Sequence, residues 1–277
     1  MKKIARILKR LLLTVKIYLP IKKHKEIAEN VIVSLTSYPA RLNKIHLVIR
    51  SLLHQKIRAE TIILYLGTDS KESDLPNKLL KLKKYGFVIK MNYPDIKPHK
   101  KYFFAMQEYS QKDVITVDDD LIYDESLIKD LTVCQKKYPD CVCARRVNLI
   151  TKNSMNQLDK YKDWKWEYTK ITEPSYSLLA TGCGGILYPA GILPSKTFNI
   201  EDVKKYCLNT DDIWLKFMEL KKGIKVVFSN SKTVHPLTIR HTQESSLMQS
   251  NTKNENINDV NIKLMEDFTG LKLSDYV

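Results

Sequence analysis

From Val31 onward, short apolar runs alternate with segments whose apolar residues recur every three or four positions. Val31–Leu35, Thr61–Leu66, Phe87–Met91 and Val114–Val117 are β-branched or aromatic runs of strand length. Between them, Leu42, Ile45, Ile49, Leu52 and Leu53 fall on one helical face, as do Tyr102, Ala105, Met106 and Tyr109. Pro76–Tyr85 reads as a helix opened by proline and closed by Gly86. A helix then spans Glu125 to about Tyr138, Cys141–Ala144 is a strand, and Ile213, Trp214, Phe217 and Met218 mark a later helix. Val226–Phe228 is a strand, and a last surface helix lies around Val260–Phe268. Strands separated by helices predict an α/β fold with a mainly parallel sheet covered on both faces. The segment 148–176 breaks the alternation. It is polar, irregular and carries Tyr161, Trp164, Trp166 and Tyr168. Such a loop either serves a sugar or base ligand or packs its own aromatics.

The first 25 residues stand apart. Ile4, Ile7, Leu8, Leu11, Leu12, Val15, Tyr18 and Leu19 share a helical face, with Lys2, Arg6, Lys9 and Lys16 opposite. The chain carries a net charge of +15, and nine of its basic residues with no acid lie in residues 1–25. A spanning helix needs about 20 apolar residues in succession, and no such run occurs. Residues 2–19 are therefore expected to lie on an anionic membrane surface. Because the remainder is only mildly basic, a nucleic-acid partner is not expected. Five cysteines at spacings without a zinc or redox pattern read as reduced thiols.

Candidate chemistry concentrates where Val114–Val117 runs into Asp118-Asp119-Asp120. Unpaired charge is too costly to bury within a strand, so the acids belong at its C-terminal mouth, where open α/β sheets bind ligands. Alternation along extended backbone would turn Asp118 and Asp120 one way and Asp119 the other. Two convergent carboxylates suit a divalent cation that also holds phosphate oxygens. Further on, Thr181-Gly182-Cys183-Gly184-Gly185 allows close backbone approach, and Asp211-Asp212 opens a helix. Those two acids either cap that helix or act as a base.

Five segments in this order, Ser34–Arg41, Lys97–Tyr102, Thr116–Asp120, Thr181–Pro189 and Asp211–Lys216, resemble a bacterial family of GT-A nucleotide-sugar glycosyltransferases that build surface glycans. The resemblance covers Val31 to about Val234. It implies a GT-A domain, set at 26–248, between the membrane helix (1–25) and the polar, Asn-rich tail with a short helix (249–277) that the residue pattern gives. It further implies a hexosyl-type transfer from a nucleotide-sugar donor to a glycan or lipid-linked acceptor, with inversion, at the cytoplasmic face of the membrane. By resemblance Asp120 ligates Mn²⁺ or Mg²⁺, Asp118 contacts the ribose or the cation, and His235 completes the metal shell. Thr36, Ser37, Tyr38, Arg41, Asp95 and Lys100 are expected at the donor. Arg41 alternatively caps its helix or pairs with an acid, and Lys100 alternatively lies at a solvated helix end. Asp212 is expected as the general base, supported by Asp211. Two rival readings remain. A sugar nucleotidyltransferase would carry a glycine-rich basic loop after the first strand, whereas Thr36–Arg41 has no glycine. A non-catalytic basic membrane or nucleic-acid binder would use charge alone.

Overall fold

A computed structural model describes residues 13, 15–21, 26–232, 236–239 and 257–277. Most of the N-terminal helix expected over residues 2–19, and His235, lie outside the described residues.

In chain order the elements are β1 (Ile27–Ser37), α1 (Leu42–Leu53), β2 (Arg58–Gly67), α2 (Asn77–Leu80), β3 (Phe87–Tyr93), α3 (Lys100–Glu108), β4 (Asp113–Thr116), β5 (Leu121–Ile122) and α4 (Leu127–Lys137). They continue with β6 (Cys141–Ala144), β7 (Val147–Leu149), β8 (Leu178–Ala180), β9 (Ile186–Tyr188), α5 (Ile200–Tyr206), α6 (Asp211–Lys221), β10 (Lys225–Phe228), β11 (Leu237–Thr238) and α7 (Ile257–Thr269). Seven strands form one sheet in the order β10-β6-β9-β4-β1-β2-β3. All neighbours are parallel except at β9, which runs antiparallel to both β4 and β6. The expected α/β fold with a mostly parallel sheet is therefore present, with one reversed strand set between β4 and β6.

Both faces of the sheet are covered, which is why its strands read as continuous apolar runs. Along β1 and β2 the period of two sorts residues between two layers. Ile32, Ile63 and Tyr65 pack with Tyr102, Trp214 and Phe217 on one side. Val33, Leu35, Ile62 and Leu64 pack with Ile45, Ile49 and Leu131 on the other. The second layer also receives Ile17 and Ile21, so the end of the N-terminal segment is docked on the domain. Arg50 holds it there by donating to the carbonyls of Ile17 and Leu19. Val15, Tyr18 and Leu19 point away and are more than half exposed.

One expectation is corrected here. The last helix is not a surface appendage: Met265 and Ile262 are buried against α5 and α6, and Phe268 stacks on Tyr206 and Trp214. Its polar residues act on the rest of the fold. Asn261 donates to Thr210 Oγ1 (2.6 Å) just before α6, and Asp259 accepts the Tyr161 N–H (2.8 Å).

Candidate active site

The acidic run lies at the C-terminal end of β4, as expected, and β4 is the central strand of the sheet. Its internal geometry differs from expectation. β4 ends at Thr116 and the chain turns at Asp119–Asp120 before β5, so the two-residue alternation of extended backbone no longer applies. Asp119 and Asp120 instead share one cation. The Arg41 guanidinium donates to Asp119 Oδ1 and lies 3.2 Å from Asp120 Oδ2. Ser37 Oγ also donates to Asp119 Oδ2 (2.6 Å), and Asp119 is buried. Asp118 turns elsewhere, to Lys101 Nζ at 2.9 Å. Its backbone N–H donates to the Tyr123 hydroxyl (2.9 Å), which fixes the bend.

Lys101 is the residue that sequence reasoning passed over. It is buried on the first turn of α3, and its ammonium lies 2.9 Å from both Asp118 Oδ1 and Asp211 Oδ2. Burial would lower its pKa, but the charges of Asp118, Asp211 and Asp212 hold it well above the ordinary lysine value. A signal was present: Lys101 stands four residues before Ala105 and so belongs to the inward face of its helix. The start of that helix is pinned by buried His99. Its Nε2–H donates to the Cys207 carbonyl (2.9 Å), leaving Nδ1 to accept from the Tyr102 hydroxyl (2.8 Å). Burial first of all lowers the His99 pKa to about 4, so the ring stays neutral.

Asp211 and Asp212 occupy the first turn of α6, and neither caps it; the N-cap position belongs to Thr210. Asp211 is buried. Burial would raise its pKa, yet Lys101 and then His99 bring it below the usual carboxylate range. Asp212 is half-buried and accepts the Gly182 N–H on Oδ1 (3.1 Å). Burial, then the neighbouring charge of Asp211, push it up to about 8. Two adjacent carboxylates thus have opposite electrostatic fates: one fixed as an anion, the other a comparatively strong base.

The glycine loop closes the site. A Cβ at Gly182 would stand 2.7 Å from Lys101 Nζ and 3.5 Å from both Asp118 Oδ1 and Asp212 Oδ1. A side chain there would push the buried Lys101 ammonium away from the two carboxylates it holds. At Gly184 a Cβ would meet Arg146 Cβ at 2.4 Å, so β8 and β9 hug β7 there.

The donor-side residues divide. Thr36 Oγ1 donates to the Tyr65 carbonyl (2.9 Å), a bond between strands. Tyr38 is half-buried, with the Arg41 guanidinium 5.3 Å from its ring. Arg41 takes the acid-pairing alternative, its partners being the acidic run itself. Asp95 accepts from Lys97 Nζ (2.6 Å) and Lys100 Nζ (2.5 Å), so Lys100 is not a solvated helix end. Burial would raise the Asp95 pKa, but these hydrogen bonds take it down to about 2. Lys100 Nζ also lies 3.6 Å from where a Gly67 Cβ would stand, at the C-terminal end of β2. A cavity of about 570 Å³ lies beyond β2 and β3, with Thr68, Lys71, Met91 and Asn92 in its wall; Asp118, Asp119, Asp120, Asp211 and Asp212 do not line it.

Among the described residues no group of three His, Cys, Asp or Glu side chains is arranged to hold a metal ion. The donors present at the acidic run are the hard carboxylate oxygens of Asp118 and Asp120, each now facing a cation of the protein, Lys101 and Arg41 respectively. Such a set fits Mg²⁺ or Mn²⁺ only if substrate phosphates supply further oxygens, which is how these cations are commonly held.

No protein-family model matches the chain, and no curated protein sequence does. Solved structures do. A mannosyltransferase from Pyrobaculum calidifontis in complex with GDP-Man and Mn²⁺ superposes with a TM-score of 0.53 at 8% identity, covering 93% of this chain and 70% of that one. UDP-glucose pyrophosphorylase (TM-score 0.41, 9% identity, 74% of this chain and 90% of that one) and 4-diphosphocytidyl-2C-methyl-D-erythritol synthase (0.45, 7%, 82% and 98%) are looser likenesses. The mannosyltransferase likeness agrees with the α/β architecture described above. Among the described residues, no helix is long and apolar enough to cross a membrane.

Proposed function

We propose that this chain is a metal-dependent glycosyltransferase that moves a sugar from a nucleotide-sugar donor to a glycan or lipid-linked acceptor, with inversion, in surface polysaccharide assembly. One observation carries the reading. Lys101 ties the acidic run to the start of α6, so Asp118 and Asp212 face the same glycine, Gly182, from two different elements. A leaving-group site and a base are thereby held at fixed separation.

Asp118 and Asp120 would hold Mn²⁺ or Mg²⁺, which supplies positive charge for the departing nucleoside diphosphate. His235 belongs to this proposal as a further ligand. The chain following it in sequence, Pro236–Ile239, runs beside β5, and Ile239 N–H donates to the Asp120 carbonyl (2.8 Å). Lys100 and Arg41 supply fixed positive charge near the donor. Thr36, Ser37 and Tyr38 shape the end of β1 at which the nucleotide would sit, and Asp95 sets the position of Lys100. Asp212 commits Oδ1 to Gly182, so Oδ2 accepts the proton of the acceptor hydroxyl. Asp211 remains ionised and holds Lys101 in place.

The exposed side chains of Val15, Tyr18 and Leu19 belong to the apolar face expected of residues 2–19, while Ile17 and Ile21 anchor the segment to the domain. This arrangement supports a peripheral attachment to the inner face of the cell membrane.

The test is a panel of nucleotide sugars incubated with the protein and Mn²⁺, with and without EDTA. Release of the nucleoside diphosphate from one donor, abolished by EDTA and restored by added Mn²⁺, is expected. No release from any donor would reject the reading.

A further inference from the structure

The segment 148–176 is not a loop packing only its own aromatics. Trp164 is buried, and its Nε1–H donates to the Asp159 carbonyl (3.0 Å). Two residues on, Trp166 is 41% exposed. Its backbone neighbours are fixed on both sides. Lys165 exchanges N–H···O bonds with Leu149 (2.8 and 3.1 Å), and Glu167 donates its N–H to Asn148 Oδ1 (3.1 Å). Glu167 itself holds φ +53°, a conformation uncommon outside glycine. The indole is fixed as well: its Nε1–H donates to the Lys162 carbonyl (3.3 Å) and its ring meets Tyr161 edge-on at 5.6 Å. A large apolar ring is thus held rigidly at the surface, against the usual tendency to bury it.

This ring is joined to the candidate base by an unbroken set of contacts. Arg146 lies 5.8 Å from the Trp166 ring centre. Its Nη1 donates to Thr181 Oγ1 (3.0 Å) and to Cys183 Sγ (3.1 Å), the two residues flanking Gly182. Gly182 donates to Asp212. Tyr161, the neighbour of Trp166, has its backbone N–H bound by Asp259. Its hydroxyl makes no hydrogen bond among the described residues. Burial, then the charge of Asp212, raise the phenol's pKa, so the group stays protonated and able to donate.

We infer that Trp166 and Tyr161 form the acceptor subsite, and that the acceptor presents a saccharide ring stacked on Trp166 with a hydroxyl bound by Tyr161. The inference rests on the glycosyltransferase reading for its link to turnover, but not for binding. A pyranose ring offers a C–H face that covers an exposed aromatic and a rim of hydroxyls that suits a lone phenol donor. A lipid tail or a bare phosphate would use the ring or the donor, not both.

The experiment uses the full chain and a panel of methyl glycosides (glucoside, galactoside, mannoside and N-acetylglucosaminide), followed by saturation-transfer NMR and tryptophan fluorescence. At least one glycoside should bind the wild type. Trp166→Ala should weaken it about tenfold, and Tyr161→Phe, which keeps the ring, about three- to tenfold. Both variants should keep the thermal stabilisation given by nucleoside diphosphate with Mn²⁺. Trp166 is 41% exposed and outside the buried core, and native circular dichroism of both variants is the control that binding, not folding, is being read. Absence of any glycoside binding to the wild type, or equal binding to Trp166→Ala, overturns the inference. Glycoside binding lost in Trp166→Ala without turnover of any donor would sustain the subsite and reject the enzyme assignment. Turnover with an unchanged acceptor KM in Trp166→Ala would do the reverse.

Discussion

Replacing Lys101 by Met keeps most of the side-chain volume and removes the charge between Asp118 and Asp211. The cost follows from burial. The Asp211 side chain is 11% exposed, and Lys101 is its buried cationic neighbour at 2.9 Å. Removing one partner of a buried pair leaves an uncompensated charge and costs about 3–5 kcal/mol. Asp118 is 30% exposed and water takes over part of the loss, on the order of 1 kcal/mol. The total expected at neutral pH is about 4–6 kcal/mol, a large part of a typical domain's stability. The pH dependence gives the sharper test. In the wild type the Asp211 pKa is depressed, so its contribution is present above the ordinary carboxylate pKa and is lost as pH falls through the lowered value. In the variant burial outweighs the remaining pull of His99, the pKa rises above the ordinary value, and protonation on acidification favours the folded state. The deficit should therefore shrink from about 5 kcal/mol at pH ~7 to about 1–2 kcal/mol at pH ~4. Urea unfolding followed by circular dichroism at the two pH values measures it. A deficit under about 1 kcal/mol at neutral pH, or one that does not change with pH, would refute the electrostatic role assigned to Lys101.

Asp120→Asn should abolish Mn²⁺-dependent donor turnover while the circular dichroism spectrum stays native; retained activity would remove Asp120 from the site. Because Asp212 is raised to about 8, its base form is lost as pH falls, so kcat/KM should climb from pH ~6 towards a plateau above pH ~8. A flat profile measured on the free enzyme would argue against Asp212 as the base. Gly184→Ala places a Cβ 2.4 Å from Arg146 Cβ and 2.8 Å from its backbone nitrogen, and should destabilise the fold by about 1–3 kcal/mol in urea titrations. Deleting residues 2–12 spares the docked Ile17 and Ile21 and should release the protein from vesicles containing anionic phospholipid; undiminished sedimentation with vesicles would reject the membrane attachment.

Much of this architecture can be read from the chain because strands buried on both faces and helices buried on one leave different periods. The same logic fails where structure depends on neighbours distant in sequence. The reversal of β9 has no local signature, since Ile186–Tyr188 would serve equally well in either direction. Asp119 and Asp120 share Arg41 because the chain turns, and a turn inside an acidic triplet is invisible to a two-residue period. The helical period puts Lys101 on an inward face, but not its partners: Asp118 and Asp211 converge on it from elements over ninety positions apart. The aromatic loop is similar. Trp164 and Trp166 are indistinguishable in sequence, yet one fills the core and the other stays exposed beside the site.

The central claim is that donor and base are held by two different elements that meet at Gly182 and act separately. Asp212→Asn tests it most directly, with donor affinity and transfer rate measured on the same sample by isothermal titration and single-turnover kinetics. The account predicts a donor Kd within about twofold of wild type and a transfer rate lower by at least about a hundredfold. Loss of donor binding in parallel with rate, or transfer at the wild-type rate, would contradict it.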